Sequence, residues 1–209
     1  MLEIDIQKGF SEDDLDLIQA TLSAGGVAVL PTDTIYGLHC LAENEKAIRK
    51  IIKIKKRPDG FGFVHIMKSY CMVHDYCFVS SGQNKYLRTI WPATTRELHN
   101  FKIRAKKRPT TVLLKSRNNL PLIGRGVSDA LAVRLPQHEF LMQVLKRLNK
   151  PLLSSSLNIS GQAPIDLKDI KNKLKTKPDL VVNSGKLAKK RASRLLDIRN
   201  TDKIKVIRK

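Results

Sequence analysis

The chain has 209 residues, 42% hydrophobic and 28% charged, which excludes a disordered polymer and allows one sizeable core in a single domain. No apolar run approaches the ~20 residues of a membrane span, and the N-terminus MLEIDIQKGF lacks the apolar centre of a secretory signal. Lys and Arg total 39 against 19 Asp and Glu, so the net charge of +20 draws polyanions such as nucleotides, RNA or acidic surfaces.

Ser11 followed by three acidic residues reads as a helix N-cap, with Leu15, Ile18 and Leu22 on one face and Gly25-Gly26 as the stop. VAVL (27–30) reads as a buried strand, and PTDTIYG (31–37) as the polar loop at its end. In that loop Pro31 sets a turn, and Asp33 or Thr34 caps the local backbone. NEKAIRKIIKIKK (44–56) is a helix with Ala47, Ile48, Ile51 and Ile52 facing the core, stopped by Pro58. FVHIM (63–67) suits a strand and QNKYLRTIW (83–91) a helix ending at Pro92. TTVLLK (110–115) and ALAVRL (130–135) read as strands, and HEFLMQVLKRLN (138–149) as an amphipathic helix. PLLSSS (151–156) is a strand opening into a polar loop, DLKDIKNKL (166–174) a helix, and DLVV (179–182) a strand. SRLLDI (193–198) and KIKVIR (203–208) are short closing strands. Strands alternating with helices predict an α/β protein with a largely parallel or mixed sheet. FKIRAKKRP (101–109), with five basic residues in its first eight, reads as an exposed insertion.

Three cysteines, Cys40, Cys71 and Cys77, make no disulfide framework and point to a reducing cytoplasm. Cys71, His74 and Cys77 have ligand character, but a structural zinc site needs four ligands and no second cluster follows, so ordinary thiols are expected. The chain has no Walker loop, no G-x-S-x-G elbow and no H-E-x-x-H helix, and GRG (124–126) lacks a third glycine. What remains is a shared chemical logic in PTDTIYG, KIKKRP and SSSLNISG, each lying where a predicted core element ends. Such ends gather on one side of an α/β sheet and form a crevice. Hydroxyls, an amide and fixed cations suit a phosphate-bearing ligand beside a small polar one. Taken singly, His65 reads as a packed strand histidine, Arg134 as a strand-end charge, and Cys40 as core.

Residues 25–58, GGVAVLPTDTIYGLHCLAENEKAIRKIIKIKKRP, resemble the opening of the YrdC family, the threonylcarbamoyl-AMP synthases. Residues 130–164 resemble that family's second block, and together the two hold its Lys-x-Arg and Ser-x-Asn pattern as Lys55, Arg57, Ser156 and Asn158. The resemblance implies a single YrdC-like domain over 1–209. Its fold would be a twisted mixed sheet flanked by helices, with a concave basic face, related to the dihydroxybutanone phosphate synthase fold. A basic insertion is expected around 93–109, and a chain of this length is expected to lack the C-terminal domain of larger members. The implied reaction joins L-threonine, bicarbonate and ATP, with Mg²⁺, into L-threonylcarbamoyl-AMP and pyrophosphate. A tRNA threonylcarbamoyl-transferase complex then modifies an adenosine beside the anticodon.

By the same resemblance, Thr34 contacts threonine, with Tyr36 and Gly37 shaping the loop beside it. His65 lies near the threonine end, and Arg134 pairs with the threonine carboxylate through its planar fork. Lys55 and Arg57 hold ATP phosphates, Thr111 and Ser193 stand at the nucleotide, and Ser156 and Asn158 reach phosphates or Mg²⁺. Catalysis would be positioning and charge neutralisation, without a protein nucleophile. Three departures stand out. RPDGFGF replaces the usual RPxxNPL, about 15 residues expand a tight WPGPLT turn, and Ser193-Arg194 replaces Ser-Thr. The first of these also matches a paralogous subgroup. The alternative expectation is therefore a YrdC-fold protein without synthase activity that binds tRNA, rRNA or other double-stranded RNA through its basic face. A carbamoyl-transfer role in hydrogenase maturation is weaker, because zinc-finger and acylphosphatase segments are missing.

Overall fold

A computed structural model describes residues 1–58, 60–91, 108–126, 129–187 and 192–209. Helix α1 (Glu12–Ser23) opens on a capping box: Ser11 accepts from the Asp14 amide, and the Asp14 carboxylate accepts from the Ser11 amide. Helix α2 (Glu45–Lys55) is capped by Asn44 and ends at left-handed Lys56, two residues before the Pro58 that marks its stop in the sequence. Helix α3 (Tyr70–Tyr76) and helix α4 (Ser81–Ile90) begin at Ser69 and Ser80 caps. Short helix α5 (Leu122–Arg125) is followed by α6 (Glu139–Leu148), which ends on left-handed Asn149. The helix expected over 166–174 splits into a 3-10 turn (Leu167–Asp169) and the single turn α7 (Ile170–Lys173).

The strands among the described residues are β1 (Leu2–Asp5), β2 (Ala28–Leu30), β3 (Gly37–Leu41), β4 (Val64–Ile66), β5 (Cys77–Phe78), β6 (Thr110–Ser116), β7 (Ala130–Arg134), β8 (Leu152–Ser156), β9 (Leu180–Asn183), β10 (Arg194–Asp197) and β11 (Lys205–Arg208). They form one mixed sheet in the order β1-β9-β2-β3-β8-β4-β7-β6-β10-β11, with β5 paired to β6. The centre is antiparallel (β2–β3, β3–β8 and β8–β4), so the sheet is mixed rather than largely parallel. Parallel pairs join β1 to β9, β9 to β2, β4 to β7 and β6 to β10. Strand β3 has no sequence counterpart because it is buried on both faces, and a buried Gly-Leu-His-Cys-Leu run shows no polar alternation.

Strand alternation sorts the core into two clusters, one on each sheet face. Ala28, Leu30, Ile66, Leu152, Leu180 and Val182 pack with Leu15, Ile18 and Leu22 of α1 and with Phe140, Leu141, Val144 and Leu145 of α6. Val29, Leu38, Cys40, Val133 and Leu153 pack with Ala47, Ile48, Ile51 and Ile54 of α2, and with Met72, Leu87 and Trp91. Ile52, expected in the core, is only partly buried against it. The result is a single α/β domain, a mixed sheet flanked by helices. Among the described residues no helix is long and apolar enough to cross a membrane. The basic insertion expected around 93–109 lies outside the described residues except Arg108 and Pro109.

Candidate functional site

Five of the residues singled out in the sequence line one cleft of about 260 Å³: Thr34, Arg57, Arg134, Ser156 and Ser193. Ser154, Ser155, Val64, Ala132 and Arg208 are also part of its walls. Thr34 comes from the loop after β2, and Arg134 and Ser156 close β7 and β8. Arg57 arrives from the loop after α2, and Ser193 precedes β10. The antiparallel β10–β11 pair brings Arg208 opposite Leu195, beside Ser193. Cross-strand register fixes the cleft face, since Val64 pairs with both Ala132 and Ser154.

The cleft is cationic and its side chains are held. Arg134 is 4% exposed; its guanidinium lies 3.4 Å from the Asp33 carboxylate and donates to the Thr34 hydroxyl at 3.5 Å. Asp33 also accepts from the Gln137 amide at 3.2 Å. Arg57 donates to the Gly62 carbonyl at 2.8 Å and lies 4.5 Å from the Phe63 ring centroid, a cation–π contact on an apolar wall. Its Nε is buried without a hydrogen-bond partner. Burial lowers the Arg57 pKa below its ordinary value. Arg208 donates to the Ser193 carbonyl at 3.0 Å and to its hydroxyl at 3.2 Å. Burial, and then the charges of Arg108 and Arg134, lower the pKa of Arg208. Crowded guanidinium groups that each lose hydration are what a polyanion relieves.

The remaining predicted residues stand behind this cleft or away from it. Thr111 is buried and shares a 2.8 Å hydrogen bond with the Ser193 hydroxyl, which places it in the layer behind the wall. Lys55 is 2% exposed and points inward. Its ammonium donates to the Ser156 carbonyl at 2.7 Å, the Asn158 carbonyl at 2.9 Å and Asn158 Oδ1 at 2.5 Å. Desolvation, then the charge of Arg57, lowers its pKa to about 8. The Asn158 amide nitrogen donates to the Gln162 carbonyl, so both ends of this side chain hold the loop together. Tyr36 lines a separate, larger cleft of about 860 Å³ with Ile35, Leu157 and Ile165. Its hydroxyl donates to the Gly185 carbonyl and accepts from the Ser184 amide. Consecutive residues, Thr34 and Ile35, thus face different clefts. The arginines and serines converge on the smaller one, while Lys168, Lys186 and Asp166 line the larger. His65 pairs across the sheet with Val133 and Leu153, on the face opposite Val64, so strand parity turns it away from the cleft into the α2-side core. Burial lowers its pKa to about 4.

Sequence reasoning missed Arg208 and His39. Arg208 lies in a terminal strand, Lys205–Arg208, among several basic residues, where no local signal marks it. His39 is fully buried in β3 and bonded to Ser154, a contact that only the β3–β8 register creates. Cys71 is exposed and Cys77 is buried, where desolvation pushes its thiol up to about 12.

The protein named threonylcarbamoyl-AMP synthase from Xanthomonas campestris pv. campestris is 29% identical over 154 residues, covering 72% of this chain and 74% of that one. Among solved structures, E. coli YciO superposes with a TM-score of 0.81 at 23% identity, covering 100% of this chain and 94% of that chain. P. abyssi Sua5 complexed with L-threonine superposes with a TM-score of 0.80 at 21% identity. The match to Sua5 covers 94% of this chain but 54% of that chain, so the present chain spans about half of that protein. The Sua5–YciO–YrdC family model, described as telomere recombination, matches residues 20–209, and the chain belongs to that family.

Proposed function

We propose that the protein makes L-threonylcarbamoyl-AMP and pyrophosphate from L-threonine, bicarbonate and ATP, as an L-threonylcarbamoyladenylate synthase serving tRNA modification. One observation carries the reading. Thr34, Arg57, Arg134, Ser156, Ser193 and Arg208 converge on a single cleft, in a chain whose similar proteins include ones named threonylcarbamoyl-AMP synthase. The solved relative complexed with L-threonine supports an amino-acid subsite.

The chemistry asks for positioning. The threonine amine forms a C–N bond with bicarbonate, water leaves, and a carbamate results. A carbamate oxygen then attacks the α-phosphorus, the bond to the β-phosphate oxygen breaks, and pyrophosphate departs. Two anions must meet, and Arg57, Arg134 and Arg208 offset their repulsion and the charge that grows on the leaving group. Arg134 suits a carboxylate because its fork is already fixed between Asp33 and Thr34. Lys55 and Asn158 act on this reading by holding the loop that presents Ser156. Mg²⁺ would come with ATP and neutralise phosphate charge. The chain offers it serine hydroxyls at the cleft, and among the described residues no cluster of three His, Cys, Asp or Glu side chains forms an ion cage.

The test mixes purified protein with ATP, L-threonine, bicarbonate and Mg²⁺, and measures pyrophosphate and the acyl adenylate. Turnover that needs both threonine and bicarbonate is expected. Arg57→Ala should lower it tenfold or more, since a charge-assisted phosphate contact is worth roughly 1.5–3 kcal/mol. An unchanged rate in that variant would contradict the site. A second reading, RNA binding without synthesis, is favoured by the inward turn of Lys55, whose three donors are all satisfied by the protein itself. Salt-sensitive binding of tRNA or double-stranded RNA with no turnover would select it.

A further inference from the structure

We propose that His39 is a positioning residue that turns the Ser154 hydroxyl into a hydrogen-bond acceptor in the cleft, matched to an ammonium or hydroxyl donor on the bound amino acid. The inference rests on reading the cleft as the substrate site.

The argument follows protons. His39 Nδ1 lies 2.9 Å from the Gly37 carbonyl oxygen. A carbonyl only accepts, so Nδ1 carries the ring's hydrogen. The ring is fully buried, and desolvation lowers its pKa to about 3, so near neutral pH it carries one proton and Nε2 has none. Nε2 lies 3.1 Å from Ser154 Oγ and can only accept. The single Ser154 proton is therefore spent on His39. What Ser154 presents to the cleft it lines is lone pairs.

The surroundings give that polarity its meaning. The charged groups on the cleft wall, Arg57, Arg134 and Arg208, are all donors. Thr34, which also lines the cleft, shows the same arrangement. The Thr32 hydroxyl donates to the Ile35 carbonyl, so it accepts the Thr34 proton and leaves Thr34 lone pairs toward Arg134. Ser154 is thus an acceptor among cations, which suits the amine or hydroxyl of an amino acid and not a phosphate oxygen. The geometry is built in. A Cβ on Gly37 would sit 2.8 Å from His39 Cε1 and 3.1 Å from the Ser155 carbonyl, so glycine lets the imidazole lie flat against the strand. Register places His39 directly opposite Ser154.

Two measurements test this. Nitrogen-15 spectra of the histidine-labelled full chain should show His39 as the Nδ1–H tautomer near neutral pH; an Nε2–H tautomer overturns the inference whatever the enzyme's activity. In a double-mutant cycle, calorimetry follows L-threonine and ATP separately, with thermal unfolding as the check on folding. His39→Leu and Ser154→Ala should each weaken L-threonine about tenfold, the double variant should be no weaker than either, and ATP should shift less than about twofold. His39→Gln, which keeps an acceptor facing Ser154, should recover most of the loss. Losses that multiply in the double variant, or that fall equally on ATP, overturn the proposal. If the unaltered chain binds no L-threonine, the proposed reaction fails, while the tautomer spectrum still decides the role of His39.

Discussion

Lys55 occupies the last position of α2 with its ammonium turned inward, where three oxygens of the 156–158 loop receive it. Burial first, and the neighbouring Arg57 charge second, bring its pKa down from 10.5 to about 8. The proton is therefore lost as pH rises through about 8, far earlier than for an exposed lysine. Turnover is expected to fall along that limb as the loop presenting Ser156 loosens. Lys55→Arg, whose charge persists, should move the limb to higher pH, and kcat/KM against pH in the two proteins is the measurement. An identical alkaline limb in both would mean that another group titrates.

At the scale of elements, the site depends on how Gly62 and Phe63, in the loop after α2, are locked against the end of α5. A Cβ on Gly62 would lie 2.3 Å from the Arg125 carbonyl oxygen, and one on Gly126 would lie 2.6 Å from the Gly62 nitrogen. Backbone packs on backbone there, and the Gly62 carbonyl is also the acceptor for Arg57. Gly62→Ala is therefore expected to force α5 and the loop apart, costing about 1–3 kcal/mol. It should also weaken ATP binding more than an Arg57-independent change would. Urea unfolding and ATP titration of the variant check both, and unaltered ATP affinity would show that Arg57 does not depend on this contact. The same loop is where the sequence departs from its family pattern, as RPDGFGF, and Gly62 within it is explained by that close approach.

Across the whole molecule, two fully buried histidines are expected to contribute to acid unfolding. Folding lowers His39 to about 3 and His65 to about 4, from 6.5 in the unfolded chain. Between about pH 6.5 and 4 the unfolded state binds both protons and the folded state binds neither, so this stability is complete above 6.5 and is lost as pH falls. Each histidine should contribute a slope of about 1.4 kcal/mol per pH unit in that window. The urea midpoint should drop accordingly on acidification, and His65→Leu should remove about half of the histidine-dependent slope. An unchanged slope would show that carboxylates alone govern acid unfolding.

Much of the architecture was legible in the sequence because it is local. The Ser11 cap, the α2 and α6 faces and strands such as VAVL follow from residue order and period alone. So does the inventory of a cationic, hydroxyl-rich site, since the Arg, Ser and Thr residues at strand ends are visible as text, and Thr34, Arg57, Arg134, Ser156 and Ser193 do meet. Tertiary structure alone decided which of these side chains face the cleft. His65 and Val64 are adjacent in sequence, yet the pleat sends them to opposite sheet faces. Lys55 and Arg57 are two residues apart, yet the left-handed turn at Lys56 leaves one buried beneath a loop and the other in the cleft. Arg208 gains its role only from strand pairing with β10 and, through it, β6, and His39 only from pairing with β8, more than a hundred residues away. Composition and period are properties of neighbours along the chain, whereas a binding site is a property of register between strands that meet only on folding.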